Sequence, residues 1–168
     1  MHRLLAWGAP EYVLERTQFI PKGIDEVFRF FEDPNNLPRI TPHWLDFRIL
    51  AVHPGSGASV DGVINAGTTI DYTLRWFGIR YRWRTLIECW EPGVKFVDTQ
   101  IRGPYILWHH THTFTPRAGG VEMTDRVRYR LPFGPFGMLG HAVIVRRQLD
   151  EIFDWRREKV SEIFGAAR

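Results

Sequence analysis

The chain has 168 residues, 44% hydrophobic and 24% charged, an ordinary balance for a globular protein and enough for one domain (1–168) with a sizeable core. Its net charge of +3 comes almost wholly from arginine, and much of it alternates along predicted strands, which assigns it to a solvated sheet face rather than to nucleic acid. The lone Cys89 excludes an internal disulfide and a cysteine-based zinc centre. With no signal-peptide pattern and no membrane-length apolar run, a cytoplasmic location is expected.

Glu11 to Ile20 places Tyr12, Leu14, Phe19 and Ile20 among polar residues and predicts a first strand ended by Pro21. Ile24, Val27, Phe28 and Phe31 recur at i, i+3, i+4 and i+7, a short amphipathic helix. Asp25 and Glu26 sit in its first turn, where the helix dipole favours acids, and Asp33-Pro34 ends it. A second short helix fits Asn35 to Ile40, before Thr41-Pro42. Leu45 to Val52 is the next predicted strand, and Val63 to Trp76 a long one with Ile64, Ala66, Thr68, Ile70, Tyr72, Leu74 and Trp76 on one face.

Gly78-Ile79 suits a two-residue hairpin turn, which predicts Trp76 opposite Tyr81, Leu74 opposite Trp83 and Tyr72 opposite Thr85. The reverse face collects Arg75, Arg80, Arg82 and Arg84. Lys95 to Ile101 is a further strand, turned at Gly103-Pro104; whether Asp98 and Gln100 face inward depends on the parity of that turn.

Tyr105 to Phe114 carries the densest set of aromatic and titratable groups, with Ile106, Trp108, His110, His112 and Phe114 on one face. After a turn at 116–120, Val121, Met123, Asp125, Val127, Tyr129 and Leu131 alternate with Glu122, Thr124, Arg126, Arg128 and Arg130. In a hairpin the apolar faces must coincide, because a one-residue slip would send three arginines into the core. Any such register sets Asp125 opposite or diagonal to His110 or His112. Unpaired polar groups in a core cost about 1–3 kcal/mol each, so this face needs a satisfied network or a ligand. The His-x-His spacing puts two imidazoles on one face, but spacing supplies no third ligand, so neither a metal nor a cofactor is expected.

The last element begins near Pro135. Leu139, Ala142, Val143, Leu149, Ile152, Phe153, Val160, Ile163 and Phe164 follow a helical stripe. A helix of about 25 residues would run roughly 38 Å and cross a whole sheet.

Several stretches together carry a resemblance: Ile24-Asp25-Glu26-Val27-Phe28 with Asp33-Pro34, Leu37-Pro38-Arg39-Ile40-Thr41-Pro42, Phe96-Val97-Asp98-Thr99-Gln100 with Gly103-Pro104, Trp108-His109-His110-Thr111-His112, and Leu131-Pro132-Phe133-Gly134 before the closing helix. In this order the chain resembles the START-like, birch-pollen-allergen-like helix-grip superfamily, often called SRPBCC, over nearly its whole length. The resemblance implies an α+β helix-grip fold: a curved antiparallel sheet of about seven strands wrapped around a long C-terminal helix, with two short helices after strand 1. It also implies an apolar cavity between sheet and helix for a lipid, quinone or polyketide-like molecule.

The superfamily shares no catalytic motif, so no catalytic residue transfers by position. The first expectation is a non-catalytic binding or carrier protein lined by Trp44, Tyr72, Trp83, Thr85, Trp108, His110, His112, Asp125, Tyr129 and Phe153. Trp44 and Leu45 are placed at the cavity mouth. The alternative is a polyketide cyclase/dehydratase-type enzyme in which His110 or His112 moves protons and Asp125 orients the base. The expected partner is a small hydrophobic molecule, with at most transient membrane contact, in a monomer or homodimer.

Overall fold

Every strand pairs with its neighbour in sequence except the first, which crosses to the last. In the computed structural model, which describes residues 9–55, 63–76, 78–132 and 144–166, the elements run β1 (Tyr12–Ile20), α1 (Ile24–Glu32), β2 (Arg48–His53), β3 (Thr69–Trp76), β4 (Ile79–Glu91), β5 (Lys95–Arg102), β6 (Leu107–Arg117), β7 (Gly120–Arg130) and α2 (Arg146–Phe164). Two short 3₁₀ turns, Pro34–Arg39 and His43–Leu45, follow α1. The sheet order is β1-β7-β6-β5-β4-β3-β2, antiparallel throughout. This is the expected helix-grip arrangement. Among the described residues no helix is long and apolar enough to cross a membrane.

The sequence accounts for these elements locally. α1 buries Val27, Phe28 and Phe31, each such side chain contributing about 1.5–3 kcal/mol on leaving water. Phe28 meets Phe114 nearly edge-on at 5.2 Å and Phe31 lies 5.5 Å from the same ring, which locks α1 onto β6. α2 covers the inner face through Leu149, Phe153, Val160 and Phe164. Its described part has 19 residues; the expected start near Pro135, with Leu139, Ala142 and Val143, lies outside the described residues. Strand β4 carries register shifts at Arg84/Thr85 and Ile87/Cys89, and such bulges bend a strand and increase its twist.

Four expectations are corrected. In the β3–β4 hairpin Tyr72 pairs with Trp83, Leu74 with Tyr81 and Trp76 with Ile79, two residues from the expected register. A shift of two leaves every side chain on its face, so the hydrophobic pattern is blind to it; Gly78, at φ +75, supplies a left-handed residue in a connection displaced by one position. The strand expected from Val63 starts at Thr69, because Thr68 Oγ1 bonds Asn65 Oδ1 at 2.7 Å and closes a local turn. Leu45 belongs to a 3₁₀ turn rather than to β2.

Strand β6 begins at Leu107, leaving Ile106 exposed and turning Tyr105 inward against Trp108 at 4.9 Å. Gln100 holds that corner, donating from Nε2 to the Tyr105 carbonyl at 2.7 Å. Gly103 leaves room for it, since a Cβ there would sit 2.3 Å from Gln100 Oε1 and displace the Gln100 side chain.

Candidate functional site

Three adjacent strands, β5, β6 and β7, deliver four ionisable side chains to one inner patch. In the β6–β7 hairpin His112 stands opposite Asp125 and His110 opposite Val127, one of the registers that parity allows. Strand β5 sets Asp98 opposite His110 and Phe96 opposite His112. The parity left open at Gly103-Pro104 is thus resolved: Asp98 borders the cavity, while Gln100 on the same face ties down the chain at Tyr105. A fifth group, Arg156, comes from α2. Leu149, Phe153, Arg156 and Val160 follow i, i+4, i+7 and i+11, so the arginine falls on the buried stripe of the helix.

The two imidazoles bridge the two carboxylates. His110 Nε2 lies 2.9 Å from Asp125 Oδ1 and its Nδ1 3.5 Å from Asp98 Oδ2. His112 Nε2 lies 2.9 Å from Asp98 Oδ2 and its Nδ1 2.8 Å from Asp125 Oδ1. The two rings are 3.8 Å apart, and Phe96 stacks on His112 at 4.2 Å. Arg156 reaches Asp125 Oδ2 with Nε at 3.4 Å and His112 Nδ1 with Nη2 at 3.3 Å. The shorter contact of Nδ1 is to the charged carboxylate, which therefore takes its N–H. The buried Arg156 Nε is not aligned for a hydrogen bond with any group among the described residues. Thr85 Oγ1 lies 3.3 Å from Asp98 Oδ1 and 3.2 Å from the Thr99 carbonyl.

Burial alone would neutralise these groups, and their partners decide otherwise. Asp125 is pushed up by burial, but the Arg156 charge and the two imidazoles outweigh this and hold it well below the usual carboxylate range. Asp98 is lowered in the same way, burial being outweighed by the His112 hydrogen bond and the charge of His110. The histidines separate: burial and the neighbouring His112 lower His110, whereas Asp125 and Asp98 raise His112 in spite of burial. The consistent state has His112 protonated and His110 neutral. Two carboxylates then balance one guanidinium and one imidazolium, and no net charge is left buried.

Above this cluster lies a cavity of about 210 Å³ between sheet and α2. Of the residues expected to line it, Tyr72, Trp83, Thr85, Trp108, His110, His112 and Phe153 do so. Trp83 anchors the aromatic wall, stacked on Tyr72 at 5.8 Å and nearly perpendicular to Trp108 at 5.4 Å. Three expected residues stand elsewhere. Trp44 is exposed and packs on His43 and Trp155, although Leu45 beside it does border the cavity, because the 3₁₀ turn sends adjacent side chains in different directions. Tyr129 is buried among Tyr12, Tyr105 and Trp108. Asp125 lies behind the histidines, at a minor crevice under α2. Asp98 and Arg156 are cavity residues that sequence reasoning did not place. Among the described residues, Asp98, His110 and His112 also form a group whose ligand atoms lie within 4.8 Å of one another, as a metal would require.

No curated protein matches the chain. Solved structures with this fold include protein CV1439 from Chromobacterium violaceum, at 14% identity and a TM-score of 0.66, covering 92% of this chain and 98% of that one. The di-domain ARO/CYC StfQ of the steffimycin biosynthetic pathway aligns at 18% identity and a TM-score of 0.66, over 92% of this chain and 50% of that one. Norcoclaurine synthase from Thalictrum flavum, solved with dopamine and hydroxybenzaldehyde, aligns at 14% identity and a TM-score of 0.63, over 96% of this chain and 93% of that one. At such identities these likenesses show the fold alone. Residues 20–160 match the family described as polyketide cyclase/dehydrase and lipid transport, and the chain belongs to that family.

Proposed function

We propose that the protein binds one small hydrophobic molecule, largely aromatic and bearing a polar group, in the cavity between the sheet and α2. The observation that carries this reading is the cavity itself: about 210 Å³, walled by Tyr72, Trp83, Trp108 and Phe153, with Asp98, His110 and His112 at one end. An apolar hollow with a few convergent polar groups is the usual form of a small-molecule site. Its volume is below the ~300 Å³ of the smallest drug-sized pockets, which favours a guest of one or two rings over a full lipid. The family description includes lipid transport, and one structural neighbour was solved with two small aromatic molecules, dopamine and hydroxybenzaldehyde. Native mass spectrometry of the purified protein tests the reading: a single small adduct that dissociates on denaturation is expected.

A second reading has an observation of its own. The rings of His110, which burial and its neighbour lower, and His112, which Asp125 and Asp98 raise, lie 3.8 Å apart, a pair whose proton affinities are driven in opposite directions. This suits a cyclase/dehydratase-type reaction with Asp125 orienting both rings. His110→Gln separates the two readings. A carrier keeps its guest nearly as before, whereas an enzyme keeps binding and loses turnover on an aromatic or polyketide-like substrate.

A further inference from the structure

We propose that Asp98, His110 and His112 form a binding site for one divalent transition-metal ion of the zinc class, with its remaining coordination position open to the cavity. One atom of each residue converges on a common point. Asp98 Oδ2 lies 2.9 Å from His112 Nε2 and 3.5 Å from His110 Nδ1, and all three atoms lie within 4.8 Å of one another. An ion about 2.1 Å from each would see Asp98 and His112 at an angle of about 90°, and Asp98 and His110 at about 110°.

The outer nitrogens make the stronger point. His110 Nε2 and His112 Nδ1, the atoms facing away from that common point, both meet Asp125 Oδ1, at 2.9 and 2.8 Å. A carboxylate behind a ligating imidazole takes its N–H and leaves the lone pair of the other nitrogen directed at the metal. Here one carboxylate serves both rings, and Arg156, with Nε 3.4 Å from Asp125 Oδ2, offsets its charge. The placement is also ordered. Asp98, His110 and His112 border the cavity, whereas Asp125 does not. Three protein ligands with the open side on a cavity are the arrangement of a site that accepts water or a ligand atom. Two imidazole nitrogens and one carboxylate oxygen select zinc, cobalt, nickel or ferrous iron over magnesium and calcium, which prefer an all-oxygen shell.

The competing arrangement keeps a proton where the ion would sit and holds no metal. Neither the organic guest nor turnover enters the test, so its failure leaves the ligand-binding reading standing. The full chain is stripped with chelator and titrated with Zn²⁺ alone, bound metal being counted after equilibrium dialysis. One equivalent per chain is expected. Asp98→Asn and His112→Gln, checked for folding by circular dichroism, should each weaken binding at least 100-fold. Asp125→Asn should weaken it roughly 10–100-fold, and His53→Ala, an outer-surface control, should leave it unchanged. Should the ligand variants not fold, Co²⁺ added to the wild-type protein reads the site directly, through contact shifts of the His110 and His112 ring protons far larger than any at His53 or His109. Zinc that fails to bind stoichiometrically, an equivalent retained by both ligand variants, or cobalt that perturbs only the other histidines would each overturn the proposal.

Discussion

The two faces of the sheet carry the same kind of pairing, cation against carboxylate, in opposite settings. On the outer face Arg84 grips Asp71 at 2.6 and 2.7 Å, Arg128 meets Glu11 at 2.7 Å, and Arg126 approaches Glu15 at 3.7 Å. Water reaches all of these pairs, so each can re-form with solvent if a partner is lost. On the inner face Asp98, His110, His112, Asp125 and Arg156 have at most 18% of any side chain exposed. There a lost partner leaves an unbalanced charge in an apolar core. The difference teaches that ion pairing acts here chiefly through burial: the outer pairs keep the sheet face soluble, and the inner set fixes the positions of the groups around the cavity.

Deleting the shared carboxylate should therefore have the largest effect. Asp125→Ala leaves Arg156 without its carboxylate and His112 with Asp98 alone, and urea titration should register a loss of about 3–5 kcal/mol. Asp125→Asn keeps the shape but removes the charge, so its loss should be nearly as large; a distinctly smaller loss would assign the effect to packing instead of charge.

The pH dependence of the chelator-treated protein sharpens the contrast. His112, raised, contributes stability that is complete below its unfolded value of 6.5 and is lost as pH rises through its higher folded value. His110, lowered, contributes stability present above 6.5 and lost as pH falls through its depressed folded value. Asp125, also lowered, adds stability present above 3.8 that is lost in stronger acid. Stability should peak near 6.5, the ordinary imidazole value. His112→Gln should flatten the alkaline side, as denaturant midpoints measured from pH 3 to 9 would register.

The smallest effect belongs outside. Arg84→Ala should move the denaturant midpoint little, and less still in high salt, which screens exposed charges. A large, salt-independent loss would erase the distinction between the faces.

How much of this was legible beforehand depended on parity. The β6–β7 hairpin faces could be read because misregister would bury Arg126, Arg128 and Arg130, and the observed pairing of His112 with Asp125 is one of the registers this allows. The β3–β4 register escaped because a shift of two changes no face, and only the turn residues decide it. Asp98 escaped for a related reason: its direction depends on the corner at Gly103, where Gln100 folds back onto Tyr105, and hydropathy carries no signal for that. Arg156 was within reach. It sits seven residues after Leu149 and three after Phe153 on the buried face of α2, but charged neighbours along the helix masked it. Trp44 was misplaced because it was expected to share the cavity mouth with Leu45, and the 3₁₀ turn His43–Leu45 sends the two side chains apart.

The claim on which the rest stands is that the hollow under α2 takes a guest. Calorimetric titration with 2-naphthol, a two-ring aromatic alcohol, tests it most directly when wild type is compared with Leu74→Trp, which fills the cavity from its wall while leaving the ionic cluster intact. Saturable one-to-one binding to the wild type, abolished in an equally well-folded variant, is the predicted result. No saturable binding to the wild type, or the same binding in both proteins, would contradict it.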